Sequence, residues 1–172
     1  ETGLDYFRER VDRWSQRAAF RDQLEVARQF SLPVVIHMRG DVEADVLATL
    51  CDFSDVRIVF HSFDGSAELR DFALRRGDFI GVGGLMTRAS SEGLREILRA
   101  VPLESIVLET DAPYLAPKGV KDRRNTSANL PLIATALAEL HGTTIEQVAE
   151  QTTANANELF PLPVAVATGA SR

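Results

Sequence analysis

An α/β fold built on a parallel sheet is what this sequence predicts, from three observations. Short, continuously apolar runs alternate with stretches of helical periodicity along the whole chain. Nearly every apolar run hands over to a polar or ligand-type residue. Of 172 residues, 45% are hydrophobic and 26% charged, the composition of one ordinary globular domain. Continuous rather than alternating apolarity marks strands buried on both faces, as in βαβ units.

The elements follow in order. Glu1-Thr2-Gly3-Leu4-Asp5 reads as the end of a strand running into a turn, so the chain is expected to start inside a longer gene product. Phe20, Leu24, Ala27 and Phe30 recur at helical spacing, and Pro33 to Ile36 is an apolar run ending at His37. Asp41 is placed to cap a helix carrying Val42, Val46, Leu47 and Leu50, and Arg57 to Phe60 is a second run ending at His61. Ser66 to Arg76 presents Leu69, Phe72 and Ala73 on one face; Phe79 to Val82 is a further strand. Leu94, Ile97 and Leu98 mark a helix before the strand Ile106 to Leu108. A long loop with Pro113, Pro117 and Gly119 leads to helices around Leu130 to Leu140 and Thr144 to Phe160. Thr143 and Glu146 are spaced as a capping box for the second, and Pro161 onward reads as a flexible tail. The domain proper is therefore 1–160, with 161–172 outside it.

Composition also excludes. No apolar run approaches the ~20 residues that span a bilayer, and no signal-peptide pattern opens the chain, so a cytoplasmic protein is expected. The lone Cys51 is expected to pack beside Leu50. A net charge of −6 argues against a broad basic face for nucleic acid, so bound cations would have to attract a phosphodiester.

The chemistry-bearing residues sit where strands meet loops. Glu1, His37, His61 and Asp111 occupy equivalent positions, which in a barrel converge on one mouth. Strand-end chemistry suits an open sheet as well, and the barrel somewhat better. Two imidazoles and two carboxylates make a divalent-metal donor set. Taken singly, each has a plainer role, as a hydrogen-bonded strand-end residue, a turn cap or an exposed terminus. Glu109 shares a side with Asp111 at i and i+2, and two such carboxylates call for a metal or a basic partner. Gly81-Val82-Gly83-Gly84 lacks the Lys and Ser/Thr of a phosphate loop and reads as a tight turn. Arg39, Arg123 and Arg124 are candidates for substrate phosphate, with solvent exposure favoured for Arg123. His141, before Gly142 at a helix end, suits a partly cationic cap and lies outside the active site. Ser62 and Ser66 near His61 lack a nucleophile-elbow motif.

Glu1-Thr2-Gly3-Leu4-Asp5-Tyr6, Leu32-Pro33-Val34-Val35-Ile36-His37, His61-Ser62-Phe63-Asp64-Gly65-Ser66 and Glu109-Thr110-Asp111-Ala112-Pro113-Tyr114-Leu115 resemble, in order and spacing, the signatures of TatD-type deoxyribonucleases. Ile80 to Gly84, Val101-Pro102-Leu103-Glu104 and Asn157-Glu158-Leu159-Phe160 extend the resemblance over nearly the whole chain. It implies a (β/α)8 barrel of the amidohydrolase superfamily, here N-terminally truncated to about five of eight units of a fold that averages ~250 residues. It further implies that Glu1 bridges two divalent ions (Mg, Mn or Zn), that His37 and His61 hold one, and that Asp111 binds the other. Hydrolysis of phosphodiesters at DNA or RNA ends would use a metal-activated water that Asp111 orients or deprotonates. The family's His-x-His pair occurs nowhere in this sequence, which holds three histidines. Arg124-Asn125 resembles the start of the family's Arg-Asn-Glu-Pro motif, which Thr126-Ser127 then leaves, and the resemblance makes Arg124 and Asn125 candidate substrate contacts.

Three readings stand at this point: a nucleic-acid exonuclease, a hydrolase of another bond such as an aminoacyl-tRNA ester or an amide, and an inactive fragment or interaction module. A monomer is the default.

Overall fold

The computed structural model describes residues 1–8, 10–121 and 124–161. Five strands, β1 (Thr2–Asp5), β2 (Val34–Arg39), β3 (Ile58–Phe60), β4 (Phe79–Val82) and β5 (Ile106–Leu108), form one sheet in sequence order. Every neighbouring pair is parallel. Helices α1 (Arg13–Phe30), α2 (Glu43–Cys51), α3 (Ala67–Arg76) and α4 (Glu92–Arg99) make the crossovers; α5 (Leu130–His141) and α6 (Ile145–Leu159) follow β5. This is a partial (β/α) barrel.

Register divides the strands by parity. Gly3 pairs with His37, Val35 with Val59, Val59 with Phe79 and Gly81 with Val107, so odd-numbered residues share one face. Even-numbered Leu4, Ile36, Ile58, Phe60, Ile80 and Ile106 face the helices and join Phe20, Leu24, Val46, Leu50, Leu69 and Ile133 in the main core. Burying each such side chain stabilises the fold by about 1.5–3 kcal/mol. On the odd face Val59, Phe79 and Val107 form a second cluster with Leu159 of α6. Both faces of a strand are thus apolar in its first half, which is why the runs read as continuous.

Helix ends are set locally. Asp12 caps α1 by accepting from Ser15 N at 2.9 Å, and Ser66 caps α3 by accepting from Leu69 N at 3.1 Å. Gly77 and Gly142 close α3 and α5 in the left-handed conformation. At the opposite end of the sheet from the candidate site, Arg76 donates to the carbonyls of Leu50, Phe53 and Val56 at 3.0–3.2 Å and pairs with Asp78. Asp78 also accepts from Ile58 N, so one buried ion pair stitches the starts of β3 and β4.

Several expectations need correction. Thr2–Asp5 is a strand in its own right and not a turn, because it finds β2 as a hydrogen-bonding partner. β2 runs on through His37 to Arg39. Val42, not Asp41, is the N-cap of α2 and makes no side-chain cap bond, since Val42 is drawn into the core. Cys51 is exposed; one position beyond buried Leu50, it is turned ~100° away from the core-facing line of the helix. Phe30, the last residue of α1, is 64% exposed. The capping box of α6 is Thr144 with Gln147, one residue later than Thr143 with Glu146, because Thr144 is the residue in extended conformation at the helix entry. Beyond Pro161, the expected tail lies outside the described residues, as does Arg123.

Candidate metal centre

Odd parity carries the candidate residues to one place. Glu1 and Asp5 flank Gly3 along β1, His37 and Arg39 share a face of β2, His61 follows β3, and Glu109 and Asp111 follow β5. β1 comes close to β2 only because residue 3 is glycine: a Cβ there, at φ +150°, would stand 1.9 Å from the His37 carbonyl oxygen. Gly81 clears a second path. A Cβ at Gly81 would meet the Glu109 carboxyl group and the Phe60 carbonyl at 2.9 Å. Through that gap Glu109 reaches across β4 to β3, where Oε2 lies 2.7 Å from His61 Nδ1 and Oε1 accepts from Ser62 N. The glycine run is therefore a passage for Glu109, with Gly84 giving room to Leu115.

His61 is the hub. Its Nε2 is 3.0 Å from Asp111 Oδ1 and 3.4 Å from Glu1 Oε2. His37 faces the same Glu1 oxygen through Nδ1 at 3.8 Å and faces Asp5 Oδ2 through Nε2 at 3.8 Å. The hydrogen bond to Glu109 raises the His61 pKa to about 9; burial opposes it, and the charges of Glu109, Glu1 and Asp111 add to it. A protonated His61 is thus the basic partner that the paired carboxylates require in the metal-free chain.

Metal-bond lengths of about 2.0–2.2 Å set donor–donor edges of about 3.3–3.6 Å in a tetrahedral site. The two Glu1–imidazole spacings, 3.4 and 3.8 Å, lie close to such edges. Each imidazole turns one nitrogen to Glu1 and the other to a supporting carboxylate, the arrangement that orients histidine ligands. Four carboxylates around two imidazoles also leave negative charge that a divalent cation neutralises. In donor chemistry and in these spacings the residues fit an ion. Among the described residues, no three His, Cys, Asp or Glu side chains already close around one point. Closing the site requires the Asp111–His61 hydrogen bond to open.

The remaining candidates separate. Arg39 lines a cleft beside Asp5. Arg124 is exposed in the long loop. Asn125, expected at the substrate, is 2% exposed and fastens its own loop, donating to Leu115 O and accepting from Thr126 N and Asn129 Nδ2. Ser66 donates to Glu43 and caps α3, which leaves it no role as a nucleophile. At His141, burial lowers the pKa, so the ring is neutral and not the cationic cap expected. Asp5 was missed as a partner of His37, although alternation from Glu1 places it on the same face.

The family described as TatD related DNase matches residues 1–161. The 3′-5′ ssDNA/RNA exonuclease TatD of Klebsiella pneumoniae is 38% identical, over 95% of this chain and 65% of that protein. The uncharacterized metal-dependent hydrolase YabD of Bacillus subtilis is 32% identical, over 93% of this chain and 63% of that protein. Among solved structures, the TatD homologue YJJV of Escherichia coli K12 superposes with a TM-score of 0.84 at 28% identity, covering 95% of this chain and 63% of that one. The chain spans just under two thirds of the length of these relatives. No described helix is long and apolar enough to cross a membrane. With sequence match, superposition and barrel topology in agreement, this chain belongs to the TatD related DNase family.

Proposed function

We propose that the chain carries the ion-binding face of a divalent-metal-dependent phosphodiesterase that trims single-stranded DNA or RNA ends. The observation that carries this reading is Glu1 Oε2 at 3.4 and 3.8 Å from two imidazoles, each backed by a second carboxylate. Glu1, His37 and His61 hold the ion, which is Mg, Mn or Zn. When bound, it polarises the phosphoryl oxygen and lowers the pKa of water. Asp5 and Glu109 fix the two rings. Asp111, freed from His61, takes the proton from the attacking water, and together with Glu1 it is what this chain offers to a second ion. Nuclease chemistry is favoured by the Klebsiella relative, a 3′-5′ ssDNA/RNA exonuclease.

The test is made on the 172-residue chain. Metal content by mass spectrometry after dialysis against Zn or Mn is expected to fall in His37→Ala and His61→Ala. An end-labelled single-stranded oligonucleotide is expected to shorten stepwise with wild type and to stay intact with either variant. A chain that binds the ion and cleaves an aminoacyl ester but leaves the oligonucleotide whole overturns the nuclease assignment in favour of ester hydrolysis. No ion bound by wild type overturns the metal assignment.

A further inference from the structure

A cleft of about 380 Å³ opens beside the candidate metal centre, lined by Asp5, Arg8, Arg10, Val11, Gln16 and Arg39. Asp5 is the wall between the two: one oxygen faces His37 Nε2 at 3.8 Å, and the other accepts from Phe7 N at 2.9 Å. Gln16 fixes the base of the cleft. Its amide binds both backbone groups of Asp5 and the carbonyl of Val11 at 2.9–3.0 Å. Among the described lining residues, three guanidinium groups face one carboxylate, a local charge opposite to that of the chain, which is −6 overall.

These arginines differ from those held in ion pairs and, among the described residues, share the lack of one with Arg75, Arg88 and Arg99. Arg17, Arg21, Arg28 and Arg57 each hold a carboxylate at 2.8–3.2 Å. Among the described residues, Arg8, Arg10 and Arg39 hold none and donate no side-chain hydrogen bond. Arg39 is oriented instead by an aromatic face, its guanidinium 4.4 Å from the Phe7 ring centroid. That stacking leaves the planar donor edge free for a tetrahedral oxyanion. The Phe7 ring is itself 64% exposed. Like charges gathered around a single carboxylate destabilise one another, and a bound anion lowers that cost.

We propose that Arg8, Arg10 and Arg39 bind a backbone phosphate of a single-stranded polynucleotide whose scissile bond lies at the neighbouring metal centre, with a base against Phe7. Basic side chains along the backbone and an exposed aromatic surface for bases are the two components of single-strand recognition. This inference rests on the phosphodiesterase reading for its substrate, and it names the residues that would make the chain prefer a polymer over a small diester.

Binding is measured without turnover, by anisotropy of a fluorescein-labelled oligo(dT) added to the 172-residue chain in EDTA over a range of salt. Single strands give a salt slope of ~0.7 per phosphate contact. Arg8→Gln with Arg10→Gln, both on an exposed loop, is expected to lower the slope by ~1.4 and weaken low-salt binding at least tenfold. Arg39→Gln, checked for folding by circular dichroism, is expected to lower it by ~0.7. Arg75→Gln with Arg99→Gln, which removes the same charge elsewhere, is expected to leave it unchanged. An equal loss in that control, or an unchanged slope in the cleft variants, overturns the proposal. With Mn restored, Arg8→Gln with Arg10→Gln is expected to raise KM on the oligonucleotide and keep both constants on bis(p-nitrophenyl) phosphate. If wild type cleaves neither substrate while the slopes change as stated, the site stands and the phosphodiesterase reading falls.

Discussion

Replacing Glu109 by glutamine keeps an oxygen near His61 Nδ1 and removes one negative charge. The wild-type ring is raised from 6.5 to about 9, with Glu109 the largest cause. That difference corresponds to about 3 kcal/mol between the two protonation states. A raised pKa gives stability that is fully present below pH 6.5 and is lost as pH rises through about 9. The wild-type, metal-free chain should therefore lose about 3 kcal/mol from this one ring across that window. Glu1 and Asp111 remain in Glu109→Gln, so its His61 should titrate at least ~1 unit lower, with a correspondingly flatter loss. An ion takes the neutral ring, so zinc affinity in wild type should climb about tenfold per pH unit between 7 and 9 and level off at lower pH in the variant. The measurements are His61 Cε1–H shifts against pH, thermal unfolding at pH 6.5 and 9, and zinc titration. Only three histidines need assigning. A variant ring that still titrates at about 9 would refute the role given to Glu109.

Gly81→Ala puts a methyl group 2.9 Å from the Phe60 carbonyl and the Glu109 carboxyl group, and should cost about 1–3 kcal/mol in a thermal melt while lowering the His61 pKa. Asn155→Ala strips the donor shared by the carbonyls of Leu103 and Ile106, both at 2.7 Å; a urea midpoint shift worth about 2–4 kcal/mol is expected. Arg76→Met leaves Asp78 buried without its cation and takes one donor from each of three carbonyls. A loss of about 3–5 kcal/mol at neutral pH should shrink as acid protonates Asp78, whose pKa burial already raises.

Four of the five strands were legible as apolar runs, because a strand packed on both faces leaves an unbroken hydrophobic signature. β1 escaped because Thr2, Gly3 and Asp5 break that signature, and only pairing with β2 reveals it. The convergence of Glu1, His37, His61 and Asp111 was legible from their place at strand ends. The reach of Glu109 was not, since it depends on a missing side chain on the neighbouring strand, at Gly81. The burial of Asn125 was not legible, because a motif match says nothing of burial, and its loop folds back over it. The cap of α6 slipped by one residue for the same reason that Cys51 changed face. Adjacent positions on a helix differ by ~100°, and sequence spacing places ends only to within a residue or two.

The parity of the sheet has a consequence for how this chain tolerates insertion and deletion. Glu1, Asp5, His37, Arg39, His61, Glu109 and Asp111 are all read in one frame of two, and the strand residues of the main core in the other. Losing a single residue inside β2 ahead of His37 would hand the imidazole to the helices and Ile36's place to solvent, while losing two would restore the alternation. Length variants should therefore survive freely in the connecting loops, and within the strands only in steps of two.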